Sequence, residues 1–418
     1  MDITLSDSYA VKGGVRVAKV AVLGFGVVGS GTVEVLDKNA DRIAHNAGQG
    51  VQIKYILDVR DFPDSPYKDL LIKDFDTIVN DPEVTVVIET IGGAGVALEF
   101  TRRSLNAGKS VVTSNKELVA THGCELLKLA GEKGVNYLFE ASVGGGIPVI
   151  RPLAQCMTAN TINEIYGILN GTTNYILSEM AKNGAEFKDS LLDAQHKGYA
   201  EADPTADIEG YDACRKICIL SSLAFGQHVY PDQVPTEGIA GVTTDDMWFA
   251  EALGYKVKLL ARSRAVGDKV AAYVAPHLIS KEHLLAGVNG VMNAVVVRGN
   301  AVGNVVLCGA GAGKMPTASA VVADVIDAVK HLYARKWISW ADGDSDLMED
   351  PMQLESAWYI RTSATREKVG REFGEVVFAG DRGAVTAFKT AVMNGKMVRD
   401  MLEREIPALS LFRVLGDH

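Results

Sequence analysis

The chain lacks three features that would each point to a particular kind of partner or compartment. Its five cysteines (Cys124, Cys156, Cys214, Cys218, Cys308) form no CxxC pair and are odd in number. A disulfide framework is therefore not expected, and the thiols read as reduced, in a cytoplasmic protein. Cys214 and Cys218 lie at helical spacing, but two thiols without a nearby histidine do not make a zinc site. There is no block of lysine or arginine, and the net charge is -10. That balance argues against nucleic acid and against an anionic membrane surface. No run of about 18 apolar residues occurs, so no membrane span is expected. The opening stretch, MDITLSDSYAVKGG, has acidic residues and no apolar core, unlike a secretory leader.

What is present suits a globular protein. Hydrophobic residues make 47% and charged residues 22% of 418, enough chain for two or three domains with a full core. The first third alternates apolar runs with amphipathic ones. Strands are expected at Val17 to Leu23, Val51 to Val59, Thr85 to Glu89, Ser110 to Thr113 and Val135 to Phe139. Helices are expected from Val27 to His45, Ala97 to Asn106 and Lys116 to Glu132. Such alternation predicts an α/β fold, a mostly parallel sheet covered on both faces. Beyond Gly144 the pattern turns to α+β, with strands at Thr161 to Leu169, Tyr255 to Ser263 and Lys269 to Pro276. A helix from Thr317 to about Ala334 returns to the first domain.

Val20 to Gly29 reads VAVLGFGVVG, a G-x-G-x-x-G placed after a strand and opening a helix. Gly24 permits the tight turn, Gly26 lets backbone approach a pyrophosphate, and Gly29 lets the helix pack on the strand. The helix N-terminus then stabilises the anion. This context makes the motif a Rossmann-type dinucleotide signature. The second strand ends at Leu57-Asp-Val-Arg60-Asp61. An acidic residue there favours NAD and an arginine accommodates the 2′-phosphate of NADP. Arg60 inclines the expectation to NADP, with NAD left open.

The densest chemistry lies in Gly198 to Lys216, GYAEADPTADIEGYDACRK. Asp212 and Lys216 are one helical turn apart on one face. That face continues through Ile219, Leu220 and Leu223, opposite Cys214, Arg215, Cys218, Ser221 and Ser222. A charged pair heading an apolar stripe needs a reason to face the interior; the alternative is an ordinary pair at a solvated helix start. Three further motifs join it: Thr113-Ser-Asn-Lys116 at a strand end, Glu140-Ala-Ser-Val143-Gly-Gly145-Gly-Ile147-Pro148, and Gly167-Ile-Leu-Asn170-Gly-Thr-Thr-Asn174. Asn170, Thr172 and Thr173 read either as partners for polar substrate atoms or as turn and capping residues. His196 reads as a surface helix residue.

Taken together and in this order, from about Lys19 to about Val329, the motifs resemble homoserine dehydrogenases. The segment Gly309-Ala-Gly-Ala-Gly313 followed by Pro316-Thr-Ala-Ser-Ala adds to the resemblance. It implies NAD(P)H-dependent, reversible reduction of L-aspartate 4-semialdehyde to L-homoserine in amino-acid biosynthesis. It implies Lys216 as proton donor, with Lys116 and Asp212 completing the catalytic set. It implies Glu201, Asp207, Asp212 and Lys216 around the substrate, and Gly24, Gly26, Val28, Gly29, Arg60, Lys116, Gly198 and Gly311 around the dinucleotide. It implies a monovalent cation such as Na+ on the backbone of Glu140, Val143, Gly145 and Ile147, and a homodimer or homotetramer. Hydride arriving at a carbonyl carbon leaves an alkoxide, which a lysine can stabilise and protonate. Two rivals stand beside this reading: another dehydrogenase of a small amino-acid aldehyde, and a non-catalytic dinucleotide-binding regulator.

The expected organisation is a doubly wound nucleotide domain over 1–143, completed by the helix near 317–334. A substrate and dimerisation domain over 144–316 follows. After Asp350-Pro351 comes a small ferredoxin-like unit over 350–418, in the order strand, helix, two strands, helix, strand. The resemblance makes this tail an ACT-like module, the kind that senses an amino acid. Its first loop, Thr362-Ser-Ala-Thr-Arg-Glu-Lys-Val369, lacks the usual glycine, so a degenerate module is expected.

Overall fold

The computed structural model describes residues 17–334, 336, 338–344, 346–404 and 406–416. Two compact units emerge. One runs to Pro148 and takes up Ala312–Ser339; the other holds Val149–Gly311 and the chain from Trp340 onward.

The first unit is built on six strands: β1 (Val17–Leu23), β2 (Gly50–Leu57), β3 (Leu71–Ile72), β4 (Val84–Glu89), β5 (Ser110–Thr113) and β6 (Tyr137–Leu138). They pair in parallel in the order β3-β2-β1-β4-β5-β6, the doubly wound arrangement with its switch point beside β1. Val20 to Leu23, Val86 to Ile88 and Val111 to Val112 are buried without alternation, as a sheet covered on both faces requires. The first helix is shorter than expected. It ends at Lys38, and a second helix, Ala40–Ala47, follows after Asn39 leaves helical geometry (φ -108°, ψ 19°). Strand β2 stops at Leu57, and the Asp58 carboxylate that follows accepts from Phe25 N at 2.7 Å. The returning helix is Lys314–Lys330, displaced a few residues from the expected span. It packs on helix Val27–Lys38 and on β4 and β5.

The second unit holds one large mixed sheet. Its strands are β7 (Ile162–Ile168), β8 (Tyr255–Val266), β9 (Lys269–Ser280), β10 (Met292–Gly299), β11 (Gly303–Ala310), β12 (Glu355–Thr362), β13 (Val376–Arg382), β14 (Val385–Thr390), β15 (Met393–Asn394) and β16 (Ala408–Leu415). The order is β11-β10-β7-β8-β9-β16-β12-β14-β13. The β10–β11 hairpin is absent from the sequence reading, although Gly299 and Gly303 bracket its turn. Helices Gly171–Asn183, Tyr211–Phe225 and Thr244–Ala252 pack on β8. Helix Tyr211–Phe225 corrects the stripe expected of it. Cys214, Cys218, Ser221 and Ser222 are buried along with Ile219 and Leu220. The reason is that β7, β8 and β9 meet the helix together with the segments Pro152–Cys156 and Pro231–Gln233. A helix buried all round follows from its place inside the unit.

The stretch 350–418, read from the sequence as a unit of its own, has its own core of Trp358, Ile360, Val369, Phe373, Phe388, Val398 and Ile406. Its strand β16 nevertheless pairs in parallel with β9, Arg413 opposite His277, so its strands continue the large sheet. Asp246, fully buried in helix Thr244–Ala252, caps its own helix through Thr243. It also accepts hydrogen bonds from Tyr359 Oη (2.9 Å), Arg361 Nε (2.8 Å) and Ser410 Oγ (3.1 Å). Among the described residues no helix is long and apolar enough to cross a membrane.

Candidate active site

The dinucleotide motif forms a cradle in the first unit. Gly24 takes φ +89°, and its N–H donates to Leu57 O at 2.8 Å. A Cβ on Gly29 would stand 1.9 Å from Gly24 O, so the helix can lie this close to the turn only with glycine there. At Gly26 the nearest atom to an added Cβ is Arg60 Nη2 at 3.8 Å; the backbone is open on the side where a pyrophosphate would approach. Val28 lies in the first turn of the helix, half-buried. Thr90, just past β4, donates to Leu23 O at 2.9 Å and Gly24 O at 3.0 Å and holds the turn from beneath. Sequence reasoning missed Thr90, since a single threonine after a strand carries no motif.

Asp58 and Arg60 act together. The Asp58 carboxylate accepts from Phe25 N (2.7 Å), Arg60 N (2.9 Å), Arg60 Nε (3.0 Å) and Arg60 Nη2 (3.0 Å). Four donors fill the capacity of a carboxylate. The Arg60 guanidinium holds this carboxyl well below the usual carboxylate range. Arg60 itself is largely exposed, 5.1 Å over the Phe62 ring.

Lys116 opens helix Lys116–Lys133 directly after β5 and is half-buried. Asn115 caps that helix by accepting from Leu118 N at 3.0 Å. Glu140, Val143, Gly145 and Ile147 fall in one tight, buried turn. It is closed by Ile147 N to Gly144 O at 2.9 Å, with Gly145 at φ +57° and Asp324 Oδ2 accepting from Glu140 N at 2.7 Å. A cation held here would draw on the backbone oxygens of these four residues. Among the described residues no cluster of three or more His, Cys, Asp or Glu suits a metal.

In the second unit the structure brings Asp207, Asp212 and Lys216 together through Asn170. Lys216 Nζ donates to Asp212 Oδ2 at 2.7 Å and to Leu169 O at 2.8 Å. Asn170 Nδ2 donates to Asp207 Oδ1 at 2.7 Å and to Asp212 Oδ2 at 2.8 Å. Asp212 and Lys216 are both buried, so the pair is no frayed surface contact. Burial raises the Asp207 carboxyl, and the neighbouring charge of Asp212 adds to the rise. Asn170 therefore serves the carboxylates, while its Oδ1 caps helix Gly171–Asn183 by accepting from Thr173 N at 2.9 Å. Thr173 acts as a turn residue, its Oγ1 donating to Asn170 O at 3.3 Å, whereas Thr172 Oγ1 donates to the distant Tyr199 O at 2.7 Å. Glu201 stays exposed on its turn. Among the described residues no hydrogen bond joins its side chain to the Lys216 cluster. Gly198 is exposed at φ +74° and ends helix Phe187–His196; His196 is exposed at the end of that helix. Gly311 lies buried against Asn293, whose Nδ2 would be 2.0 Å from a Cβ there.

A buried ammonium fixed by a carboxylate, beside two further polar groups, can deliver a proton to a developing alkoxide. A glycine cradle at a switch point can hold the hydride carrier. Known proteins match both units. A family model described as homoserine dehydrogenase, NAD binding domain, matches residues 24–140, and one described as homoserine dehydrogenase matches residues 148–326. The homoserine dehydrogenase of Pseudomonas aeruginosa is 45% identical over 83% of this chain and 82% of its own. A homoserine dehydrogenase structure from Thiobacillus denitrificans superposes with a TM-score of 0.86 at 37% identity, covering 96% of this chain and 99% of that one. A hyperthermophilic archaeal homoserine dehydrogenase in complex with NADPH matches with a TM-score of 0.63 at 28% identity, over 75% of this chain and 98% of its own.

Proposed function

The chain belongs to the homoserine dehydrogenase family of NAD(P)-dependent oxidoreductases, and on that premise we propose how its own residues carry the reversible reduction of L-aspartate 4-semialdehyde to L-homoserine. The dinucleotide supplies the hydride. Lys216 gives a proton from Nζ to the alkoxide oxygen left on the substrate, and takes it back in the oxidative direction. Asp212 and the Leu169 carbonyl hold that ammonium in place, at 2.7 and 2.8 Å. Lys116, at the carboxyl end of β5, adds positive charge where open α/β sheets bind ligands. Glu201 and Asp207 take the substrate α-ammonium. The observation that carries this reading is the buried Lys216–Asp212 pair, because burying a charge pair costs desolvation energy and a proton-donating role accounts for its presence.

The preferred carrier is NADP. Asp58 has no acceptor capacity left for a ribose hydroxyl, and Arg60 presents an exposed guanidinium where a 2′-phosphate would add charge-assisted hydrogen bonds. The complex of the archaeal relative with NADPH points the same way. Gly24, Gly26, Val28 and Gly29 cradle the pyrophosphate; the assignment of Gly198 and Gly311 to the dinucleotide rests on the family resemblance alone. The turn Glu140–Ile147 takes a monovalent cation such as Na+, which steadies the chain that follows β6. The protein works in the cytoplasm as a homodimer or homotetramer, with the 350–418 stretch as a degenerate ACT-like module. Turnover of L-homoserine with NADP against NAD, in the presence and absence of Na+, tests the set. Faster turnover with NAD would refute the cofactor assignment.

A further inference from the structure

Glu89 is a carboxyl that the reaction above does not use. It is the last residue of β4, the strand beside β1 at the switch point, and it is 0% exposed. Charged side chains are almost never fully buried without a partner that explains them. Its partners are a loop amide and a hydroxyl at the end of β5, with no cation among them in the described residues. Ile91 N donates to Glu89 Oε1 at 2.6 Å, and Thr113 Oγ1 donates to Oε2 at 2.5 Å.

The bonds close a ring. Thr113 Oγ1 also accepts from Asn115 N at 2.9 Å. Asn115 Nδ2 donates to Ile91 O at 3.0 Å and Gly93 O at 2.7 Å. Ser114 N donates to Glu89 O at 3.3 Å. Two loops that leave adjacent strands, 90–93 and 114–116, are thus tied to one buried carboxyl. One end of the ring is Asn115, the cap next to Lys116. The other is Thr90, which holds the Gly24 turn through Leu23 O and Gly24 O. Burial pushes the Glu89 carboxyl up to about 7, so the fold tolerates an expensive group here.

We propose that Glu89 is a positioning residue for hydride transfer, setting Lys116 and the glycine turn in one fixed geometry at the carboxyl ends of β1, β4 and β5. The inference rests on the dehydrogenase reading for its kinetic arm only. A dinucleotide-binding arm stands without it.

The test uses the full chain and three variants. Glu89→Met keeps the volume and removes the side-chain hydrogen bonds to Ile91 N and Thr113 Oγ1. Glu89→Gln rebuilds the ring, since its carbonyl accepts from Ile91 N and its amide can donate to Thr113 Oγ1. Thr113→Val removes two links, the one to Glu89 Oε2 and the one from Asn115 N, and leaves Glu89 and its bond from Ile91 N in place. In E89M the dissociation constant for NADPH, measured without substrate, rises about tenfold. Its kcat for L-homoserine oxidation falls about 100-fold, as a displacement of about 1 Å allows, while KM for L-homoserine stays within about threefold. E89Q recovers kcat to within about tenfold of the parent chain. T113V shows a smaller loss in the same two quantities and carries the test should E89M fail to fold. A folded E89M, or a folded T113V in its place, with NADPH affinity and kcat both within about threefold of the parent overturns the proposal. So does E89Q falling as far as E89M. Should the parent chain not turn over L-homoserine, the substrate reading fails, and NADPH affinity across the three variants still decides for or against Glu89.

Discussion

Lys216 Nζ lies 2.7 Å from Asp212 Oδ2, one helical turn away, with both side chains buried. The pair shares its carboxylate with Asn170, which joins it to Asp207. Removing the carboxylate leaves a buried ammonium with Leu169 O as its remaining partner named above. Asp212→Ala should therefore cost about 3–5 kcal/mol of stability and lower kcat by about 100-fold. Thermal unfolding and steady-state kinetics check both. Unchanged stability would show the pair to be solvated.

Arg60→Ala should weaken NADP by about ten- to 100-fold, the worth of charge-assisted hydrogen bonds to a phosphate. It should leave NAD nearly unchanged, because the substitution also frees Asp58 to accept from a ribose hydroxyl. The ratio of kcat/KM for the two carriers is the readout. An unaltered ratio would remove Arg60 from the site.

Asp246→Ala should destabilise the second unit by about 3–5 kcal/mol, because it removes the buried carboxylate shared by Tyr359, Arg361 and Ser410 and leaves Arg361 the more distant Asp245, at 3.8 Å. The effect would make the 350–418 stretch a load-sharing part of the large sheet. Chemical denaturation of the full chain checks it, and a loss under 1 kcal/mol would mean the network adds little.

Glu89 also makes a pH prediction. Its carboxyl is raised from 4.5 to about 7 in the folded chain. The folded state thus holds a proton that the unfolded chain releases. The resulting stability is fully present below about pH 4.5 and is lost as the pH rises through about 7, on the order of 3 kcal/mol in all. Glu89→Gln cannot titrate. The Tm of the parent chain relative to E89Q should therefore fall between pH 5 and pH 8. A constant gap across that range would contradict it.

Much of this arrangement was legible before the structure. The parallel sheet followed from the strand–helix alternation, and the Gly24–Gly29 cradle from glycine spacing with its strand and helix in place. Asp212 and Lys216 shared a face by helical period alone. What stayed hidden was whatever depends on contacts far apart in sequence. Nothing local told that Asn170 would bind Asp207 and Asp212, or that Asp58 would spend its oxygens on Phe25 and Arg60. The all-round burial of helix Tyr211–Phe225 came from the segments that cover it, which periodicity cannot see. The β10–β11 hairpin was within reach, since Gly299 and Gly303 flank its turn, but its apolar run reads equally well as one continuous segment.

The most direct test of the account is L-homoserine-dependent reduction of NADP by the purified full chain and by Lys216→Ala, with NADPH binding measured on both. The account predicts turnover by the parent chain, a loss of about 1,000-fold in kcat for K216A, and equal NADPH affinity. Near-normal turnover by a folded K216A would contradict the assignment of Lys216 as the proton donor.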